Sequence, residues 1–211
     1  VMSPFGARGL NSGVADAENL AWKLARAVRG AAPDALLDSY DAERRPAAVD
    51  NLAATDATMG FLAPHGRLRR AWRNLVLRMA PRSAWFRRRV DSGRLAEPAA
   101  YAPSPVIAPG PGGSEILRHG VMAPDVSLAA GGRLRDRLGA GFVIVAAKPR
   151  AQLADATVCL VDGSTPYGRH RAWLVRPDGY LADSAPIDDA AALLRLARRA
   201  PGVATPTTGP S

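Results

Sequence analysis

The sequence predicts a mixed α/β protein whose helices come first and whose strands come second. Three observations carry this reading. Residues 12–90 place apolar side chains at i, i+3, i+4 spacing, the mark of helices that each bury one face. Residues 96–113 are rich in Pro, Gly and Ala and read as a linker. After them come two short apolar runs bounded by glycine, a hairpin signal, and a closing helical pattern.

The first helix is expected from about Ser12 to Arg29. It follows a loop, Pro4-Phe5-Gly6-Ala7-Arg8-Gly9-Leu10-Asn11-Ser12-Gly13, in which glycines let the backbone approach a partner closely. Asn11 or Ser12 is expected to cap the helix. Asp16 and Glu18 then fall near its start and Lys23, Arg26 and Arg29 near its end, as the macrodipole favours. A helix N-terminus with unpaired N–H groups and about half a positive charge suits an anion or a polarised carbonyl. Val14, Ala17, Ala21, Leu24, Ala25 and Val28 form its apolar face, and Gly30 ends it at the C′ position.

A second helix is expected over Ala35 to about Arg45, with Leu36, Leu37 and Tyr40 buried. Pro46 lacks a backbone donor and should kink the chain or restart it as a third helix to about Phe61. Asp16, Asp41, Glu43 and Arg44 are placed to interlock these helices by ion pairs. Gly60–Gly66 breaks the pattern; Leu68, Trp72, Leu75, Val76 and Met79 form another amphipathic helix ending at Pro81, and Ser83–Val90 a short helical piece.

In the second half, Gly141–Ala146 and Thr157–Val161 read as buried strands, with a short helix at about 150–154. Arg171–Arg176 and Tyr180–Ala182 flank Pro177-Asp178-Gly179, a turn in which Pro fixes φ and Gly permits φ > 0; this is a hairpin. Asp188–Ala200 closes the fold as a helix carrying Ala191, Leu193, Leu194 and Leu196. The tail 201–211 is expected to be disordered.

Composition removes several functions. No run near 18 apolar residues and no signal-peptide pattern occurs, so neither a membrane partner nor secretion is expected, and a cytoplasmic location is the default. The single Cys159 excludes an internal disulfide and a cysteine metal cluster. His65, His119 and His170 lack ligand spacing, so no metal site is expected. Neither a Ser-His-Asp set nor a carboxylate pair is visible, so no side chain is assigned a catalytic role. The net charge of +9 resides in residues 65–94, which hold ten arginines against Asp91 alone. Such a run attracts nucleic acid in some proteins. Here it has no recognition motif and little aromatic interleaving beyond Trp72, Trp85 and Phe86, and it reads as a solvated helix face or one that packs on another domain.

The run from Pro4 to Leu24 resembles the flavin-contacting segment of single-component FAD-dependent aromatic hydroxylases: phenol hydroxylase, 3-(3-hydroxyphenyl)propionate hydroxylase and the polyketide hydroxylases. That family's segment reads roughly P-x-x-G-x-G-x-N followed by D-x-x-N-L-x-W-K-L, matched here by Pro4, Gly6 (one position early), Gly9, Asn11, Asp16, Asn19, Leu20, Trp22, Lys23 and Leu24. Leu37 to Pro46 is similar to its L-x-x-Y-x-x-E-R-x-P signature. The phrases Ala123-Pro124-Asp125 and Leu174-Val175-Arg176-Pro177-Asp178-Gly179-Tyr180 are similar to landmarks of its thioredoxin-like last domain.

The resemblance implies FAD-dependent, NAD(P)H-consuming hydroxylation of a small phenolic or polyketide substrate. It implies that Pro4, Gly6, Gly9, Leu10 and Asn11 bind the cofactor, with N–H groups of Gly9, Leu10 and Asn11 facing the flavin N1/C2=O edge. It also implies that the chain corresponds to the C-terminal third to two-fifths of such an enzyme. The missing partner is then an N-terminal FAD-binding half carrying the G-x-G-x-x-G turn, without which the isolated chain should be inactive and the apolar face of its first helix bare. The expected organisation is 1–95 as the helical remnant of the FAD-binding and substrate domains, 96–115 as linker and 116–200 as a thioredoxin-like domain lacking C-x-x-C and hence dithiol exchange. In the family that last domain sometimes serves subunit contacts, so a homodimer is admitted. The alternative is a non-catalytic interaction module built on the thioredoxin-like domain and the arginine-rich helices.

Overall fold

The computed structural model describes residues 8–30, 35–86, 98–110, 117–148 and 157–199. By backbone contacts the chain divides into two compact units, Val1–Ala17 with Arg44–Ala99, and Glu18–Glu43 with Ala100–Ser211. The elements are α1 (Arg8–Val28), α2 (Ala35–Leu62), α3 (Arg67–Met79), a 3₁₀ turn (Leu134–Arg137), β1 (Val143–Ala146), β2 (Val158–Leu160), β3 (Arg171–Val175), β4 (Leu181–Pro186) and α4 (Ala190–Arg199). This is the mixed α/β class expected.

In the helical unit, α1 begins at Arg8, a full turn before the expected Ser12. Asn11 and Ser12 are therefore inside the helix rather than caps, and its first turn carries no acidic residue. Ser12 is buried for another reason: its hydroxyl and carbonyl oxygens accept from Arg44 Nη2 at 3.3 Å each, while Arg44 Nε donates to Asp16 at 2.6 Å. The Asp16–Arg44 part of the expected ion-pair set is thus formed. Pro46 does not end a helix; α2 runs through it. The ring leaves one turn without its N–H bond, and the surrounding helix carries that local defect. Helix α3 ends near Pro81, as the spacing predicts. The short helical piece is seen at 84–86, and its remainder lies outside the described residues.

The other unit is organised by a four-stranded sheet of order β2-β1-β3-β4. β1 and β2 are parallel; β1–β3 and β3–β4 are antiparallel. Alternation along the strands splits the core in two. Ile144, Ala146, Ala172 and Leu174 face one side, with Trp22, Leu36, Phe142, Leu193 and Leu196. Val143, Val145, Trp173 and Val175 face the other, with Leu117, Leu128, Leu134 and Tyr167. A strand buried on both faces must be apolar throughout, which is why Val143–Ala146 reads as a run without alternation. Each fully buried Leu, such as Leu193 or Leu196, contributes roughly 1.5–3 kcal/mol. Leu37, expected to be buried, is 38% exposed, because a helix buries only part of its circumference.

The hairpin forms as predicted. Gly179 takes φ 83°, its N–H donates to the Arg176 carbonyl, and the Arg176 N–H donates to the Tyr180 carbonyl. The register between β3 and β4 shifts at Leu174/Val175. Within the stretch that reads as a linker, Tyr101, Ile107 and Ala108 are buried in the sheet unit, and Ala108 N–H donates to the Ala182 carbonyl. The expected helix at 150–154 and the tail 201–211 lie outside the described residues.

Candidate functional site

Of the five residues expected to contact a cofactor, Pro4 and Gly6 lie outside the described residues. Gly9, Leu10 and Asn11 stand together in the first turn of α1. Leu10 is 74% exposed and Asn11 is exposed. In a helix that starts at Arg8, the N–H groups of Gly9 and Leu10 have no intrahelical acceptor, and they carry the positive end of the dipole. With no acid in that turn to satisfy them, they suit an electron-rich edge brought from outside. Gly13, one turn on, has no atom within 4 Å of where a Cβ would stand, so the helix surface there is open. A flavin edge fits this donor set.

The rest of the α1 motif is used differently. Asn19, Trp22 and Lys23 share one face at i, i+3, i+4, and all three are buried. They converge on carboxylates. Lys23 Nζ donates to Glu43 Oε2 at 3.0 Å and Asn19 Nδ2 to the same oxygen at 2.8 Å. Arg176 grips Glu43 in bidentate fashion, with Nη1 to Oε1 and Nη2 to Oε2 both at 2.9 Å. Ser104 Oγ donates to Oε1 at 2.7 Å. Arg176 also pairs with Asp178, Nε to Oδ1 at 3.0 Å, and the Trp22 indole N–H donates to Asp178 Oδ2 at 3.1 Å. Two cations thus meet two anions, every one with its side chain no more than 1% exposed.

Aromatic rings close around the guanidinium. Its carbon lies 5.2 Å from the Trp22 ring centre, 5.6 Å from Tyr101 and 5.8 Å from Tyr180. The two tyrosines stack at 4.1 Å, and Trp22 meets Phe142 edge to face at 5.5 Å. Cation–π attraction is strongest where water is excluded, as here.

Burial works against the charges and the partners restore them. It pushes the Lys23 ammonium down to about 8, with Arg176 adding repulsion and Glu43 opposing both. Burial alone would raise the Glu43 carboxyl, but Arg176, Lys23 and the bond from Asn19 hold it below the usual range. Burial would lower Arg176, yet Asp178 and Glu43 hold it above its ordinary value. One atom stays unsatisfied: among the described residues Asn19 Oδ1 is buried with no hydrogen-bond partner.

A cavity of about 670 Å³ opens beside this cluster in the sheet unit, lined by Trp22, Ala25, Met122, Leu134, Leu138 and Pro177 among others. Asp178 reaches it but is committed to Arg176 and Trp22. Cys159 is buried, and burial raises its thiol pKa, so it is a core residue rather than a nucleophile. No group of His, Cys, Asp or Glu that could hold a metal occurs among the described residues, and no described helix is long and apolar enough to cross a membrane.

Sequence reasoning took Lys23 as a base near the helix end and Glu43 as a partner for neighbouring helices. It missed Arg176 and Asp178 altogether. The available signal was the shared face of Asn19, Trp22 and Lys23, a polar stripe on a helix whose apolar stripe lies elsewhere.

Residues 1–55 match the family model described as FAD binding domain. The chain is 36% identical over 230 aligned residues to tetracenomycin A2 monooxygenase-dioxygenase of Streptomyces glaucescens, covering 93% of this chain and 39% of that protein. It is 34% identical over 164 residues to 3-(3-hydroxy-phenyl)propionate/3-hydroxycinnamic acid hydroxylase of Mycolicibacterium smegmatis, covering 74% and 29%. Among solved structures, aklavinone-11 hydroxylase in a ternary complex with FAD and aklavinone superposes with a TM-score of 0.64 at 26% identity, covering 94% of this chain and 41% of that one. The rebeccamycin biosynthetic enzyme RebC with reduced flavin gives a TM-score of 0.62 at 26% identity, covering 93% and 43%. The chain therefore spans well under half the length of these relatives.

Proposed function

We propose, from the premise that this chain belongs with the FAD-dependent aromatic monooxygenases, that it supplies part of the flavin site of an enzyme hydroxylating a small aromatic substrate. The observation that carries the reading is the first turn of α1. Gly9 and Leu10 present N–H groups with no acid in their turn and Asn11 beside them, on a segment matched to an FAD-binding family. When bound, FAD supplies the redox chemistry that activates oxygen, with NAD(P)H as the reductant.

The chain's own contribution is electrostatic. The N–H groups of Gly9 and Leu10, with Asn11 beside them, would hold the electron-rich edge of the flavin ring, and the α1 dipole would favour negative charge there. Pro4 and Gly6, just ahead in the sequence, are proposed to share in holding the cofactor. Phenolic and polyketide compounds are the proposed substrate class, in keeping with relatives named for 3-(3-hydroxy-phenyl)propionate and for polyketide hydroxylation. The order β2-β1-β3-β4 followed by α4 supports a thioredoxin-like reading of the sheet unit. It holds no C-x-x-C, and its Cys159 is buried, so that unit exchanges no disulfide.

Leu10, Val14, Leu24 and Val28 lie on one stripe of α1 and are 74%, 49%, 44% and 85% exposed. An apolar stripe left bare on a helix is a surface awaiting cover. The remainder of an FAD-binding domain is the proposed cover.

The test is to express the chain with whatever coding sequence lies in frame ahead of it. A yellow protein that consumes NAD(P)H faster when a phenolic compound is added supports the reading. A folded, colourless product with no such activity overturns it.

A further inference from the structure

The sheet unit has no assigned task, and the buried cluster gives it one. The FAD-binding family match covers residues 1–55, yet by contacts residues 18–43 belong with the sheet. The second half of α1 and the start of α2 are therefore family residues seated on the C-terminal fold. Trp22 and Leu36 join the apolar core, and the rest of the seat is polar. The apolar stripe of α1 is exposed, and the buried side chains of its second half are Asn19, Trp22 and Lys23. All three end on Glu43 or Asp178, and Arg176 joins those two carboxylates.

We propose that Arg176 is a positioning residue: through Glu43 and Asp178 it locks the second half of α1 to the β3–β4 hairpin, making the sheet unit the seat of the flavin-side helix. The claim that this helix is flavin-side rests on the functional reading above; the lock itself does not.

Three features favour a lock over a site that does chemistry. The four charged side chains are 0–1% exposed and are spent on one another, which leaves none of them turned to a substrate. Every hydrogen-bonding direction of the guanidinium that faces a carboxylate is used in a planar, bidentate way that Lys cannot reproduce. The partners lie 133 residues apart in sequence, so the bond ties distant segments rather than ordering a local turn.

Hydrogen exchange on the 211-residue chain tests this without any flavin. Arg176→Met should speed amide exchange across residues 18–28 at least tenfold more than across β1 and β3, whose amides report the global loss of stability. Arg176→Lys should fail to restore α1, because one ammonium cannot hold both oxygens of Glu43 and also Asp178. If Arg176→Met does not fold, Glu43→Gln is the substitute: it keeps the shape, removes the charge, and should give the same local pattern. Unchanged exchange in α1, or an equal rise across α1 and the strands, overturns the lock, as does full rescue by Arg176→Lys. A chain that never binds FAD but shows the local pattern leaves the lock standing and sinks only the flavin reading.

Discussion

Arginine stands in two settings in this molecule. Arg176 is fully buried, bidentate to Glu43, paired with Asp178 and ringed by Trp22, Tyr101 and Tyr180. Helix α3 carries Arg67, Arg69, Arg70, Arg73 and Arg78 with no acid, and Arg67, Arg69 and Arg78 lie in the open. The first setting places one cation where water cannot serve it and gives it protein partners instead. The second places cations at the surface, where Arg67, Arg69 and Arg78 are open to water. Charge counted along a sequence finds the second setting easily and says nothing of the first.

The largest effect follows from removing Arg176. Breaking a buried network from one side leaves the two carboxylates of Glu43 and Asp178 with Lys23 as the cation still beside them, a loss of about 3–5 kcal/mol. Arg176→Met should lower the denaturant midpoint by a large fraction of the total stability, read by urea unfolding. Replacing Arg176, Glu43, Lys23 and Asp178 together by apolar residues should cost less than the single change, because no charge is then left alone. A single variant within 1 kcal/mol of the parent would break the contrast between the two settings.

Lys23 sharpens it. Its ammonium titrates near 8 in the folded chain against 10.5 for an exposed lysine. Between those values the unfolded chain holds a proton that the folded chain has released, so stability rises with pH through that window. Below pH 8 both states are protonated and the folded one bears the full cost of burying the charge, on the order of 3 kcal/mol. Lys23→Met should abolish this rise and leave the protein no less stable at pH 7, since Arg176, Asn19 and Ser104 still satisfy Glu43. Urea midpoints measured from pH 7 to 10.5 on parent and variant decide it; a parent stability that falls across the window contradicts the assignment.

The same contrast explains what could be read in advance. β1, β2, the hairpin and the last helix were legible because each is a local signal: β-branched runs, Pro-Asp-Gly, and apolar residues at helical spacing. The glycine loop and the α1 motif carried the family resemblance for the same reason. Glu43 was visible as a charge but not as the meeting point of Lys23, Asn19, Ser104 and Arg176, because a pairing across 133 residues leaves no local trace. The start of α1 at Arg8 was missed because Asn11 and Ser12 resemble caps; Arg44 reaches Ser12 from α2 and makes it a buried helical residue. Pro46 was read as a break on its intrinsic cost, and the long helix around it overrides that cost.

Gly13 separates stability from function on α1. It sits inside the helix with open space where a Cβ would stand. Gly13→Ala should stabilise the chain by roughly 0.5–1 kcal/mol through helix propensity alone. If a cofactor approaches this surface, the same methyl should weaken its binding. A thermal shift upward together with poorer flavin retention in the flavin-loaded protein is the expected pair of results, and a shift upward with unchanged retention removes Gly13 from the contact surface.

The smallest effect belongs to α3. Arg67, Arg69 and Arg78 are exposed, and surface changes of this kind move stability by no more than about 0.5 kcal/mol each. Replacing all three with Gln should leave the urea midpoint almost unmoved while the protein elutes from a cation exchanger at lower salt. Three added favourable contributions would instead make the variant clearly less stable, and that loss would have to shrink as salt screens it. A salt-insensitive loss would mean that these arginines, like Arg176, have partners shielded from water, and the difference between the two settings would then be one of degree.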